Sequence, residues 1–325
     1  MLSQRVVNLL KRVPFLYGLL FWLYLNTVLR LRQSPRFVRE KFWKALRGTV
    51  GIVAKQKLRD GLITSEGEFF LRMPNDIYVL YNFRDRDKVM GDGQSLDLIP
   101  DDHVDRMWQI LDILLEDGMC YIDVGANNGY SYALRVARKS SENRVIAFEP
   151  NPMILHHLER NVAFNQLNNI IIEPIALAEK SGEAKLAAHL GASSYLSTQT
   201  SPRPNLMTVK SQSLDGYLEE KSISKVDLIK VDIEGGEYGF LLGAQKLLRS
   251  HQAILFLEFK ERWLARSGSS QREVLDLLEA NDYVVHQIVG QEDILCVPSK
   301  LAGWLAGVEA AWLVPLSAAM IAESE

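Results

Sequence analysis

The chain has 325 residues, 47% of them hydrophobic and 24% charged, enough for one sizeable α/β domain with a smaller appendage. Its two cysteines, Cys120 and Cys296, exclude a disulfide scaffold, and no Cys/His cluster has zinc spacing. The net charge of −3 is unevenly spread: residues 1–59 carry thirteen Lys and Arg against the single acid Glu40, a local charge of +12 that leaves −15 on the remainder.

A basic arm on an acidic body calls for an anionic partner, either phospholipid or nucleic acid. Within the arm, the apolar run from Val13 to Leu29 lies between Arg12 and Arg30. As a helix its seventeen residues reach about 26 Å, against a bilayer core of about 30 Å. That is short for spanning and sufficient to lie in the interface, where Tyr17, Trp22 and Tyr24 suit the headgroup boundary. Arg30-Leu-Arg-Gln33 follows the run in place of a small-residue cleavage site, which argues against a signal peptide. Basic residues flanking a long apolar run suit lipid better than nucleic acid. The expectation is membrane contact through residues 1–59, no nucleic-acid partner, and a cytoplasmic, membrane-associated location. The competing reading is a helix packed on the protein's own body.

Residues 60–117 read as a small cap or lead-in. Strands are predicted over Glu68–Met73 and Ile77–Phe83 with a turn at Asn75-Asp76, then an amphipathic helix over Asp101–Leu115 capped by Asp101 or Asp102. Residues 118–300 alternate apolar strands with helical patterns. Strands are predicted over Met119–Val124, Arg144–Phe148, Ile170–Pro174, Leu228–Val231, Ala253–Phe259, Tyr283–Val289 and Ile294–Val297. Helices are predicted over Tyr130–Lys139, Pro152–Asn165, Tyr238–Leu248 and Gln271–Asn281. This alternation predicts a parallel sheet covered on both faces, closing on an antiparallel hairpin. The Ser/Thr/Pro-rich stretch Ser193–Asn205 reads as a loop too polar for the core. Residues 301–325 form an apolar tail interrupted by Pro315, left open between docking on the body and membrane contact.

Four strand ends carry the chemistry. In Tyr121-Ile-Asp-Val-Gly-Ala-Asn-Asn-Gly129 an apolar strand runs into Asp123, a glycine turn and a helix. A dinucleotide fingerprint needs glycines where this turn holds Gly125, Asn127 and Tyr130, so a pyrophosphate fits poorly. The strand-end acid suits a cationic ligand with an amino-acid head. Twenty-six residues beyond Asp123, Val145-Ile-Ala-Phe-Glu149-Pro-Asn-Pro152 ends a second strand in a carboxylate, placed to read a ribose diol. Asp227-Leu-Ile-Lys-Val-Asp-Ile-Glu-Gly-Gly-Glu237 crowds Lys230, Asp232, Glu234 and Glu237 at a third strand end, and Leu255-Phe-Leu-Glu258 aims a further carboxylate at the same edge. A self-paired Lys–carboxylate cluster on the rim is the bland reading of that crowding.

Asp123-Val-Gly-Ala-Asn-Asn-Gly129, Phe148-Glu-Pro-Asn-Pro152, Ile229-Lys-Val-Asp-Ile-Glu-Gly-Gly-Glu237 and Leu257-Glu-Phe259 together resemble the FkbM-type methyltransferase family, as do Ser193-Ser194 and Leu214-Asp215. The resemblance covers about residues 118–290 and implies a Rossmann-like class I methyltransferase sheet, mostly parallel with an antiparallel terminal hairpin, to which this chain adds a helical N-terminal arm. It implies S-adenosylmethionine (SAM) as methyl donor and a sugar, glycolipid or secondary-metabolite hydroxyl as acceptor. Asn128 departs from the family, which commonly has an apolar residue there, and is expected to affect helix packing more than chemistry.

On these motifs Asp123, Gly125, Asn127, Gly129, Glu149, Asn151 and Lys230 are assigned to the cofactor. An alcohol needs a base, for which Asp232 is first choice and Glu234 second, with Glu258 orienting either. His156 and His157 fall on a helix surface and, with His189, rank below the carboxylates. No metal is assigned, since three carboxylates alone do not establish one. The alternative function is a non-catalytic SAM-binding module anchoring a membrane-associated complex, and retention of the charged motif residues argues against it.

Overall fold

The structure is a computed structural model, described here for residues 62–63, 69–73, 76–80, 106–188, 194–196 and 206–322. The arm, the capping Asp101 and Asp102, and His189 lie outside these residues. The chain divides into two compact units, 1–102 and 103–325.

In the first unit, β1 (Leu62–Ile63), β2 (Phe69–Met73) and β3 (Ile77–Leu80) form an antiparallel sheet in that order. Asp76, with φ of 56°, sits immediately before β3, and Met73, Ile77 and Val79 are buried. The two predicted strands are present within the described residues, whereas β1 is too short to have shown a pattern.

The second unit starts with α1 (Arg106–Leu114), which buries Met107, Ile110, Leu111 and Leu114. Its main sheet runs through β4 (Cys120–Val124), β5 (Arg144–Phe148), β6 (Ile170–Glu173), β11 (Leu228–Val231), β12 (Ile254–Glu258), β13 (Tyr283–Ile288), β14 (Asp293–Pro298) and β15 (Leu313–Leu316). Their spatial order is β15-β13-β14-β12-β11-β4-β5-β6. Strands β6, β5, β4, β11 and β12 pair in parallel, while β14 is antiparallel to both β12 and β13. Numbered from β4 as the first, the seven strands β6 to β13 stand in the order 3-2-1-4-5-7-6, a Rossmann-like sheet with the antiparallel hairpin expected from the sequence. Every residue of β4, β11 and β12 is buried because both faces are covered, so these strands read as unbroken apolar runs rather than alternating ones.

The tail supplies β15 on the outer edge of β13, with Pro315 opposite His286. Proline interrupts a helix but is tolerated on an edge strand, where its missing N–H faces no partner. Among the described residues no helix is long and apolar enough to cross a membrane.

Three further differences have local causes. The helix predicted over Tyr130–Lys139 begins later, as α2 (Ala133–Lys139), and the first amide of α2 donates to Asp123 Oδ2 at 3.0 Å. The single helix predicted over Tyr238–Leu248 is two, α5 (Glu237–Leu242) and α6 (Gln245–Ser250). The break falls at Gly243, where a Cβ would stand 2.2 Å from the Ala178 carbonyl oxygen. The carboxylate of Asp215 then accepts the Lys246 and Leu247 amides at 2.7 and 3.0 Å and anchors the first turn of α6. Finally, a second sheet of β7 (Ala176–Leu177), β8 (Gly182–Ala187), β9 (Tyr195–Leu196) and β10 (Leu206–Gln212) stands in the order β7-β10-β8-β9. Tyr195-Leu196, read as loop, pair with β8 as Leu186↔Leu196 and Ala187↔Tyr195.

The remaining elements that position the site are α3 (Pro152–Phe164), α4 (Leu214–Glu220), α7 (Glu261–Arg266) and α8 (Gln271–Glu279). Both cysteines are free and buried, and burial pushes the Cys120 thiol up to about 11, so it stays protonated and acts as an apolar side chain.

Candidate functional site

The C-terminal ends of β4, β5 and β11 meet in one cleft, where ligands of open α/β sheets bind. Past β4 the chain turns through Gly125 and Asn127, at φ of 80° and 53°. The amides of Gly125 and Ala126 both donate to the Phe148 carbonyl at 3.0 Å, which ties the turn to the end of β5. A Cβ on Gly125 would stand 2.0 Å from the Asp232 carbonyl oxygen, so only glycine lets the turn close against β11. Gly125→Ala is therefore expected to cost at least ~1–3 kcal/mol of stability from the clash and the left-handed backbone together. An unchanged thermal unfolding midpoint would show that the turn yields without cost.

Glu149 joins the turn to the next helix. Its Oε2 accepts the Asn127 amide at 2.9 Å and its Oε1 accepts the Asn151 amide at 2.8 Å. Burial pushes this carboxyl up to about 7, against the opposing pull of the two amides. Asn151 caps α3, accepting the Met153 amide at 3.0 Å with Pro152 at the first helical position, and donates from Nδ2 to Ser194 Oγ at 3.0 Å. Asn128 is buried and accepts the Tyr130 amide at 3.0 Å, while its carbonyl takes the Asn161 amide nitrogen at 2.8 Å. A polar residue is thus satisfied where an apolar one was expected.

The cleft encloses about 560 Å³ of space open to solvent and is lined by residues of the strand ends and the second sheet. Gly125, Asn127 and Glu149 line it, with Asp232 facing them and Phe148, Ile154, Ile175, Leu177, Leu186 and Leu196 supplying apolar wall. Asp123, Gly129, Asn151 and Lys230 do not line it. Asp123 lies beneath the turn, with Oδ2 holding α2 and Oδ1 buried and unpartnered; burial pushes its carboxyl up to about 6, opposed by Lys230. A Cβ on Gly129 would meet Leu134 at 2.1 Å, so that glycine serves the packing of the turn on α2 and α3.

Lys230 is buried and donates to Asp232 Oδ2 at 2.6 Å, with its ammonium 5.1 Å from the Tyr132 ring centre. Burial alone would lower its pKa, but the charges of Asp232 and Asp123 outweigh it and the net shift is upward. Glu234, at φ of 56°, and Glu258 are buried beside Asp232. Burial, and then the repulsion of neighbouring carboxylates, pushes both up to about 7. The three predicted catalytic acids do converge: one carboxylate oxygen from each lies within 4.8 Å of the others.

Sequence reasoning did not single out Asp293, Lys260, Trp263 or Arg266. Asp293 stands opposite Glu258 across the β12–β14 pairing and is pushed up to about 7 by burial and by Asp232. Arg266 lies over the Tyr195 ring at 3.6 Å, donates to the Glu234 carbonyl and faces the Trp263 ring at 4.4 Å. The i, i+3 spacing of Trp263 and Arg266 on a helix was the one signal available for that stack.

The chain matches the methyltransferase FkbM domain model over residues 123–285. Among curated proteins, it is 23% identical over 210 residues to the 2-O-methyltransferase NoeI of Sinorhizobium fredii, a match covering 59% of this chain and 85% of that protein. It is 28% identical over 169 residues to the hexuronic acid methyltransferase AglP of Haloferax volcanii, covering 47% of this chain and 66% of that one. Among solved structures, the methyltransferase FkbM from Methylobacillus flagellatus KT is similar with a TM-score of 0.38 at 19% identity, over 55% of this chain and 44% of that one.

Proposed function

Since the chain belongs to the FkbM methyltransferase family, we propose that it is a SAM-dependent O-methyltransferase acting on a hydroxyl of a sugar, glycolipid or secondary metabolite. The observation that carries this reading is one cleft lined both by Glu149, with the glycine turn, and by Asp232. The left-handed turn at Gly125 and Asn127 brings the backbone after β4 to the edge of the cleft. The names of two relatives, a 2-O-methyltransferase and a hexuronic acid methyltransferase, support an oxygen acceptor on a sugar.

Bound SAM supplies an electrophilic methyl group on a sulfonium. Glu149, ionised, accepts hydrogen bonds from the ribose hydroxyls while its oxygens keep the Asn127 and Asn151 amides, because each carboxylate oxygen can accept twice. Phe148, Ile154 and Leu177 offer an apolar bed to the base. Lys230 fixes Asp232 through Oδ2, which would leave Oδ1 to take the proton of an acceptor hydroxyl, and S-adenosylhomocysteine would be the leaving group. Holding the two reactants in line can supply several kcal/mol of the barrier reduction, roughly 7–11 for ideal alignment. The test is incubation of the full chain with SAM and hydroxylated glycan or glycolipid acceptors. The expected product gains one methyl group on oxygen. Methylation confined to nitrogen or carbon would refute O-transfer, and SAM binding without transfer to any acceptor would favour the binding-module reading.

Membrane contact through residues 1–59 belongs to the same proposal. Basic residues near an anionic surface add roughly 1 kcal/mol each, and the dense cluster from Arg30 to Arg47 would keep the body on the cytoplasmic side, beside a lipid-linked acceptor. The full chain is expected in the membrane fraction at low salt. Release by high salt alone means an interfacial anchor, release only by detergent means insertion, and wholly soluble protein at low salt refutes membrane contact.

A further inference from the structure

Each of the three acids at the ends of β11 and β12 has one ion-pair partner, yet two of them keep a buried oxygen that accepts no hydrogen bond. Glu234 and Glu258 keep only 7% and 6% of their surface exposed. Oε2 of each is buried and accepts no hydrogen bond. Each nearby cation pairs with one of the three acids without donating a hydrogen bond to those Oε2 atoms. Lys260 holds the other oxygen of Glu258, Oε1, at 2.7 Å. Lys230 holds Oδ2 of Asp232. Arg266 donates to the Glu234 main-chain carbonyl, and its guanidinium stays 3.8 Å from Glu234 Oε2, beyond hydrogen-bond reach. A buried carboxylate oxygen without a donor is costly unless a proton or a cation completes it.

The spacing admits a hard divalent cation. One oxygen from each of Asp232, Glu234 and Glu258 lies within 4.8 Å of the others. Oxygens bound to a hard divalent ion at roughly 2.0–2.6 Å are separated by no more than about twice that length. Glu237 and Asp293 add two carboxylates to the neighbourhood: Glu237 is buried and interacts with Glu258 and Asp232, and Asp293 interacts with Asp232 and Glu258. Among the described residues Asp232, Glu234 and Glu258 are the one group of acids so arranged.

We infer that Asp232, Glu234 and Glu258 form a binding site for a single hard divalent cation of the Mg²⁺/Mn²⁺ class, reached from the cleft through Asp232, the one of the three that lines it. The all-oxygen donor set selects that class over zinc or copper. Three protein ligands leave positions for water or for hydroxyls of the acceptor. This deepens the proposed function and rests on it for its purpose: the ion holds an acceptor oxygen beside Asp232 and lowers the pKa of its hydroxyl. A sugar diol, with two adjacent oxygens, is the acceptor chemistry best suited to such open positions.

The experiment is a titration of chelator-treated full chain with Mn²⁺, read by loss of the free-ion electron paramagnetic resonance signal. One Mn²⁺ is expected per chain, displaced by excess Mg²⁺. Glu258→Gln and Glu234→Gln preserve shape and should each weaken binding by about tenfold or more, the scale seen when support of a metal site is altered. Circular dichroism and SAM binding by calorimetry check that both variants are folded. Absence of saturable Mn²⁺ uptake, or uptake unchanged in both folded variants, overturns the metal site. Methyl transfer undiminished by chelator would overturn the ion's role while leaving the transferase reading intact. Stoichiometric Mn²⁺ binding without transfer to any acceptor would leave the site and refute that reading.

Discussion

Asp232→Asn is expected to lower the turnover of methyl transfer by at least about 100-fold, the low end for a positioned general base. Asparagine keeps the shape of the side chain and still offers Lys230 an oxygen acceptor, so the buried ammonium is not stranded and the fold should hold. What is lost is the negative charge and the capacity to take a proton. Because that loss is felt only as the hydroxyl attacks, kcat should fall while SAM affinity stays close to normal. Single-turnover kinetics with saturating SAM makes the measurement. Near-normal turnover in a folded variant would move the role to Glu234 or Glu258, or show that alignment alone suffices.

Glu149→Ala should weaken SAM binding by ~2–3 kcal/mol, on the scale of losing charge-assisted hydrogen bonds. The same change releases the Asn127 and Asn151 amides, so a loss of affinity by itself does not separate ribose recognition from a loosened turn. The pH dependence does. Burial raises this carboxyl from an ordinary 4.5 to about 7 in the free protein. The ionised form is the better acceptor for two hydroxyls, so SAM affinity should be flat above about 7 and fall below it, by at most tenfold per pH unit. The stability of the ligand-free protein runs the other way. Between 4.5 and about 7 the unfolded chain has already released this proton and the folded one has not, so stability from this group declines as pH rises through that window. Calorimetry across pH on the native chain and on Glu149→Ala should show the first dependence in one and not the other. Equal slopes in both would remove Glu149 from ribose recognition.

Much of the architecture was legible because it is written locally. β4, β11 and β12 are covered on both faces, so each had to be an uninterrupted apolar run, and such runs are visible without knowing the neighbours. The turn after β4 announces itself through Gly125 and Gly129, since a left-handed backbone and close approach restrict the residue type. Pro152 after Asn151 marked the start of α3 for the same kind of reason. A carboxylate directly after a buried strand, as at Glu149, or ending one, as at Glu258, has to lie at the ligand-binding edge of the sheet.

Other features depend on what a residue meets across the fold. Gly243 sits at the break in a helix whose local pattern is continuous, and the Ala178 carbonyl, far away in sequence, occupies the space a side chain there would need. The second sheet escaped notice because β8 exposes its first half and β9 is two residues long, leaving no period to read. Pro315 looked like an interruption until β13 supplied an edge on which it could sit. The acid cluster shows the division most sharply. The sequence put Asp232, Glu234 and Glu258 at strand ends. Only the pairing of β11 with β12, and of β12 with β14, sets those carboxylates within 4.8 Å of one another and adds Asp293 from the end of the chain. Proximity between side chains on different strands is a property of register and strand order, and neither is carried by any one segment of the sequence.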